Sequence, residues 1–383
     1  MSNTRPLRIA IVAGEQSGDN LAAALITALR QHYPDAQFFG IAGPRMQAVG
    51  CEVWESTESL SVMGIFELLP HLRRLLRIRK QLIQRLLAAP PDVYIGVDYK
   101  EFNLSVERKL KAAGIRTVQY VSPQVWAWRQ SRVKTIARAV DLMLCLLPFE
   151  QPFYVGHNVN ARFVGHPLAD QIPLQVDQAT ARTTLQLTSA PCLALLPGSR
   201  QGEVQRLASD FAATVAWLKQ RQPDMQFVAP MAGDKVREQF TQALRIAGVE
   251  DAVQLLEGQA QTAMIASDVV LLASGTATLK ALLLKRPMVV TYRLGKLTTF
   301  LLKNLGLMKA KFFSQPNLLA GRELVPEFYN QQVCAEVLGP AILQQLQRDD
   351  KALLIAEFMR IHQQLKQNAS ERAAQAIAEL LAR

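Results

Sequence analysis

Along the first half of the chain, short, mostly apolar runs rich in β-branched residues alternate with stretches whose apolar residues recur every three or four positions. Leu7 to Ala13 (LRIAIVA) is the first such run, and QFFGIAG, DVYIGVD, RTVQYVS and DLMLCLL repeat the theme. Each is followed by polar residues or by Gly and Pro. The first run leads into the turn Gly14-Glu15-Gln16-Ser17-Gly18-Asp19, and a helical pattern then passes through Leu21, Leu25 and Leu29. Strands apolar on both faces and separated by helices predict a parallel sheet covered on both sides. From about Pro167 to Ala190 the chain is polar and irregular and reads as a domain connection. A second alternation follows: CLALLPGSR, a helix through Phe211 and Trp217, MQFVAPMAG, another helix, AVQLLEG, DVVLLASG and PMVVTYR. The prediction is an α/β protein with two Rossmann-like, doubly wound domains facing a cleft, over residues 1–170 and 185–345. A helical tail over 351–383 is expected to pack back on the first domain.

Composition narrows the class. A length of 383 residues suits two domains, and 49% apolar with 20% charged residues excludes wholesale disorder. Cys51, Cys145, Cys192 and Cys334 lie far apart with no C-x-x-C pair, which excludes a zinc ribbon and argues for a reducing compartment. The N-terminal apolar run is too short for a signal-peptide core, and no run of about 18–20 apolar residues is present. The expectation is a cytoplasmic protein, or one resting on a membrane face without crossing it. The net charge is +11.

The chemistry sits in the turns. GEQSGD has too few glycines for a dinucleotide fingerprint; it is either a ligand-binding loop or a tight turn in which Ser17 or Asp19 caps the helix. LALLPGSR ends a strand in Pro197-Gly198-Ser199-Arg200 ahead of a helix, and backbone N–H groups with a guanidinium there suit anionic oxygen. Ser274-Gly275-Thr276 repeats the geometry, and two such turns in one domain fit a nucleotide diphosphate. Asp98 ends the strand DVYIGVD, where a doubly wound sheet holds its ligands, and serves there as a general base or as a structural carboxylate. Trp126 and Trp128 flank a polar stretch at another strand end, lining a sugar or acyl pocket or packing in a core. His166 is either a proton carrier or structural.

Between Ile65 and Leu87, leucines and isoleucines recur at helical spacing with Arg73, Arg74, Arg77, Arg79, Lys80 and Arg85 among them and no acid after Glu67. Pro70 suits a first helical turn. A core helix with a basic outer face has this pattern, and so does an interfacial helix whose arginines meet anionic headgroups. The missing acids favour the second, with Leu68, Leu69, Leu72, Arg73, Leu75 and Leu76 at the membrane. No basic stripe accompanies a nucleic-acid-binding motif, so nucleic acid is not an expected partner.

Taken together, VAGEQSGD, GPRMQAVGCE, SVMGIFELL, PDVYIGVD, YVSPQVWAWR, LPFE, FVGHP, LALLPGSR with Glu203, LLASGTATL and PNLLAGRELVPE resemble the lipid A disaccharide synthase family. These are inverting, metal-independent glycosyltransferases of Gram-negative bacteria with two Rossmann-like domains (the GT-B architecture). The resemblance implies transfer of a diacylated glucosamine from UDP to the 6-hydroxyl of diacylglucosamine 1-phosphate. It implies Asp98 as base, Gly198, Ser199, Arg200, Ser274, Gly275, Thr276 and Asn317 on the nucleotide, and Glu15, Ser17, Trp126, Trp128 and His166 on the acceptor side. No cofactor is implied, since the UDP-sugar is a substrate; the place implied is the inner membrane's cytoplasmic face. Two features depart from the family's pattern. Tyr99-Lys100-Glu101 follows Asp98, which sets a lysine where it can pair with the aspartate, and Lys280 stands where the family has glutamate. They leave a second reading, a catalytically weak membrane-associated paralogue that binds UDP-sugar or lipid.

Overall fold

The computed structural model describes residues 5–60, 68–126, 130–293 and 311–383, without the side chains of residues 68–71. Contacts divide the chain into two units: residues up to Asp170 together with Leu365–Arg383, and Gln171–Gln364. In the first, β1 (Arg8–Ala13), β2 (Gln37–Ala42), β3 (Cys51–Ser56), β4 (Val93–Val97), β5 (Arg116–Tyr120), β6 (Leu142–Cys145) and β7 (Ala161–Phe163) form one sheet. Its order is β3-β2-β1-β4-β5-β6-β7 and every pair is parallel. The edge strands β3 and β7 carry no apolar run, so the hydrophobic pattern did not reveal them.

Burial on both faces explains the apolar runs. Ile9, Ile11 and Ala13 of β1 pack in a core with Leu25 and Ile26 of the helix Gln16–His32 and with Ala373 and Ile377 of the helix Ala369–Leu381. Ala10 and Val12 point the other way, towards Ile78 and Leu82 of the helix Leu68–Ala88 and Phe102 and Val106 of the helix Lys100–Ala112. The tail is two helices, not one. It breaks after Lys351–Leu365, and Asn368 takes a left-handed φ of 56° before Ala369–Leu381 begins. The first of the two helices lies in the second unit apart from its last residue, and the second lies in the first unit. The segment read as an irregular connection also contains two short helices, Pro167–Gln171 and Gln178–Thr184; Asp177 caps the latter by accepting from the Thr180 N–H.

The second unit repeats the plan. Its strands β8 (Cys192–Leu196), β9 (Gln226–Met231), β10 (Val253–Glu257), β11 (Val269–Ala273), β12 (Met288–Tyr292) and β13 (Glu327–Tyr329) run parallel in the order β10-β9-β8-β11-β12-β13. Both orders reverse direction at one place, between β1 and β4 in the first sheet and between β8 and β11 in the second. Ligands of open α/β sheets bind outside the carboxyl ends of the strands at that reversal. The four turns there begin at Gly14, Asp98, Pro197 and Ser274.

Candidate functional site

At the first reversal, β4 ends in Asp98, and Asp98 and Tyr99 both take left-handed backbone angles, with φ of 52° and 28°. Non-glycine residues in that region cost about 1–3 kcal/mol each. The bend carries the Asp98 side chain back over the loop after β1, where Oδ1 accepts from the Gly14 N–H at 3.0 Å. The N–H groups of Glu15 and Gly18 also donate to the carboxylate. This contact accounts for the glycines of GEQSGD. A Cβ on Gly18 would lie 2.0 Å from Asp98 Oδ2, and one on Gly14 would lie 2.3 Å from Tyr99 Cβ. Burial raises the Asp98 carboxyl to about 7; Glu15 adds repulsion, and the three amide donors oppose the rise. A carboxylate poised near neutrality is suited to accept a hydroxyl proton.

Several neighbours differ from expectation. Lys100 makes no ion pair with Asp98. Burial lowers its pKa, and among the carboxylates around it Glu150 acts most strongly, ahead of Glu101 and Asp98. Glu101 is instead gripped by Arg132 through two contacts of 2.6 Å. Glu15 immediately precedes the helix Gln16–His32 and Ser17 lies in its first turn; both are exposed, and neither side chain caps the helix. Asp19 caps a different helix, Pro44–Ala48, accepting from the N–H groups of Gly43, Arg45 and Met46 at 2.9–3.0 Å. Trp126 stands edge-on to Phe149 at 4.8 Å and donates its Nε1–H to buried Glu150 at 3.3 Å, so its ring is engaged in packing. Trp128 lies outside the described residues. His166 Nδ1 accepts from the Leu168 N–H at 3.2 Å, and burial pushes the ring's pKa down to about 4. It is therefore neutral at pH 7 with one ring nitrogen already engaged, which is the structural alternative.

At the second reversal, Gly198 has a φ of +135°, and a Cβ there would meet that of Glu203 at 2.5 Å. Glu203 folds back so that its Oε2 accepts from the N–H groups of Ser199 and Arg200, at 3.1 and 3.4 Å. These amides, expected to face an anion, thus hold a carboxylate of the same chain. The Arg200 guanidinium stays 76% exposed, 3.5 Å from Glu203. Gly275 and Thr276 are exposed at the start of the helix Thr276–Leu283, whose first N–H groups lack partners within the helix. Ser274 Oγ donates to the Phe313 carbonyl at 3.2 Å. Asn317 is not available to a nucleotide. Its Nδ2 donates to the Val325 carbonyl and Glu327, and its Oδ1 accepts from Leu324 and Val325, which saturates a buried amide. Glu327, which ends the motif PNLLAGRELVPE but was not among the expected site residues, also accepts from the N–H groups of Phe313 and Ser314 and braces this loop.

The leucine- and arginine-rich segment forms the helix Leu68–Ala88, with Pro70 in its first turn. Its apolar positions divide. Ile78, Leu82, Ile83 and Leu86 are buried, and Leu75 packs against the same core. Leu72 and Leu76 are 51% and 44% exposed, with Arg73 and Arg77 exposed beside them. Leu68 and Leu69 belong to the helix, but their side chains are outside the described residues. Two of the basic residues are engaged: Arg74 donates to the Ser59 carbonyl at 3.0 Å, and Arg85 stacks 3.5 Å over Trp54. Among the described residues no helix is long and apolar enough to cross a membrane, and no group of three or more His, Cys, Asp or Glu side chains converges.

The architecture has solved counterparts. A glycotransferase of kitacinnamycin superposes with a TM-score of 0.63 at 15% identity, covering 98% of this chain and 99% of that one. The calicheamicin glycosyltransferase CalG4 gives 0.63 at 14%, covering 99% of both chains. A UDP-GlcNAc 2-epimerase from Neisseria meningitidis gives 0.61 at 12%, covering 98% and 100%. At these identities the likeness shows the fold alone. Sequence carries the comparison further. The family model described as lipid-A-disaccharide synthetase matches residues 9–380. The lipid-A-disaccharide synthase of Alkalilimnicola ehrlichii is 53% identical over 375 residues, 97% of this chain and 98% of its relative. That of Escherichia coli K12 is 50% identical over 382 residues, covering 99% and 100%. Agreement of this depth along nearly the whole chain does not favour the weak paralogue suggested by Lys280 and the run after Asp98. The chain belongs to the lipid-A-disaccharide synthase family and is a glycosyltransferase of lipid A disaccharide synthesis.

Proposed function

We propose that the transfer moves 2,3-diacylglucosamine from UDP to the 6-hydroxyl of 2,3-diacylglucosamine 1-phosphate, with Asp98 as the base. The observation that carries this reading is the Asp98 carboxyl, raised to about 7 at the sheet's reversal point. The carboxylate takes the proton of the 6-hydroxyl as that oxygen bonds to the donor's anomeric carbon. The bond from that carbon to the UDP oxygen breaks on the opposite face, so configuration inverts and the linkage is β(1→6). The diphosphate leaves with a gain of negative charge. The exposed Arg200 guanidinium and the amides opening the helix Thr276–Leu283 are the groups suited to take up that charge. The chemistry so assigned needs no cofactor and no bound metal.

The acceptor and donor carry acyl chains, and the reading includes peripheral attachment to the cytoplasmic face of the inner membrane through Leu72, Leu76, Arg73 and Arg77. These leucines present apolar surface to water while the arginines beside them suit anionic headgroups. Mass spectrometry of the products from the two proposed substrates tests donor, acceptor and linkage class together. A disaccharide 1-phosphate and UDP are expected; no turnover of that pair would overturn the assignment. Asp98→Asn is expected to abolish transfer with UDP binding retained, and near-normal turnover would remove Asp98 from the base role.

A further inference from the structure

Behind Asp98 lies a set of buried polar side chains that the transfer chemistry does not use. Asn103 is fully buried in the first turn of the helix Lys100–Ala112, and its Nδ2 points at three main-chain carbonyls: Asp98 at 3.2 Å, Val97 at 3.3 Å and Val12 at 3.5 Å. Its Oδ1 accepts from the Tyr94 hydroxyl at 2.8 Å. Gln119, equally buried on β5, directs its Nε2 at the same Asp98 carbonyl at 3.2 Å, and at those of Tyr120 and Val121 at 3.1 and 3.4 Å. Thus two side-chain amides from different elements converge on one carbonyl oxygen, that of the strained residue bearing the candidate base.

The sheet register brings them together. Gln119 is the cross-strand partner of Gly96, and Gly96 lacks a side chain where the helix comes closest. A Cβ on Gly96 would lie 2.5 Å from Glu107 Oε1 and 2.7 Å from Asn103 Cβ. Glu107 sits one helical turn beyond Asn103, fully buried, with neither oxygen hydrogen-bonded to the protein. Burial pushes its pKa well above the usual carboxylate range. Asp98 N–H makes the last ladder bond, to the Tyr120 carbonyl at 3.0 Å. Past that point the ladder offers the Asp98 carbonyl no donor, and a buried acceptor left unpaired is costly.

We infer that Asn103 and Gln119 are positioning residues for the transfer: they grip the main-chain carbonyl of Asp98 and thereby hold its left-handed turn with the carboxylate against Gly14. The inference rests on Asp98 being the base. Loss of the grip lets the turn relax and the carboxyl move into water. Its pKa then falls toward the ordinary range, because burial is the largest cause of its rise. The other ionisable groups facing Asp98 are Glu15, Tyr99 and Lys100.

The test uses Asn103→Leu and Gln119→Met, apolar near-isosteres that introduce no charge, with Asp98→Asn alongside. The Asp98 titration midpoint is read by carboxyl ¹³C NMR on the full chain, and kcat and KM are measured with the two glucosamine substrates. Expected are a midpoint lowered from about 7 by about one pH unit, a kcat reduced about tenfold or more, and a KM for the UDP-sugar within about twofold. Where one variant does not fold, the other reads the same quantity. An unchanged midpoint and kcat in a folded variant overturns the inference. If Asp98→Asn keeps its turnover, the base assignment fails, and the midpoint by itself then decides whether the two amides hold the turn.

Discussion

Asp98 shows how much a single residue depends on its surroundings. A carboxylate after an apolar strand is legible in the sequence, but its working pKa is not, because desolvation and the amide donors come from the loop after β1, 84 positions away. With the base active as the carboxylate, kcat/KM is expected to rise with pH through about 7 and then level off. A profile flat from pH 5 to 9 would contradict it. Arg200 lies at the other extreme: its exposed guanidinium is what the motif suggested, and Arg200→Ala is expected to weaken UDP binding about tenfold by calorimetry. His166 gives a stability prediction of definite sign. Its folded pKa, about 4, lies below the ordinary histidine value, so the unfolded chain binds the proton first. It costs stability as pH falls from about 6.5 toward 4, while Asp98, raised in the folded state, works in the opposite direction. The melting difference between the wild type and His166→Gln is therefore expected to shrink between pH 7 and pH 5.

At the scale of elements, the hydrophobic pattern located the central strands because each is buried on two faces, and it missed β3, β7 and β13, which lie at sheet edges. Helix faces were read less well. The periodicity of residues 65–87 is the same for a core helix and an interfacial one. Only packing separates Ile78, Leu82, Ile83 and Leu86, which are inside, from Leu72 and Leu76, which are not. Glycines mark where elements touch. Gly339 lies against the Trp217 ring, with a Cβ there 2.2 Å from Cε3. Gly339→Ala is expected to cost about 1–3 kcal/mol by forcing apart the helices Ala335–Gln347 and Gln201–Arg221, read as a lowered melting temperature. Gly18→Ala places its Cβ on the Asp98 carboxylate, so it is expected to abolish turnover with little effect on UDP binding.

For the whole molecule, a net charge of +11 with apolar side chains exposed beside arginines predicts sedimentation with anionic vesicles that weakens as salt rises. Leu72→Ser with Leu76→Ser is expected to release the chain into solution without unfolding it, since both side chains face out; retained vesicle binding would count against that surface. The sequence by itself determined the α/β class, the strand–turn–helix alternation and where the turns lie. Apolar runs report strands buried on both faces, helical periodicity reports one buried face, and glycines with polar residues mark strand ends. Only the tertiary structure decided which of those residues are free to act. Asn317, Trp126, His166 and the amides of Ser199 and Arg200 were all candidates, and each has hydrogen bonds or packing taken up by partners in its own unit. No motif marks the amides of Asn103 and Gln119, yet both meet at Asp98. Hydrogen-bond saturation depends on neighbours brought together by strand register, and a linear pattern does not carry register.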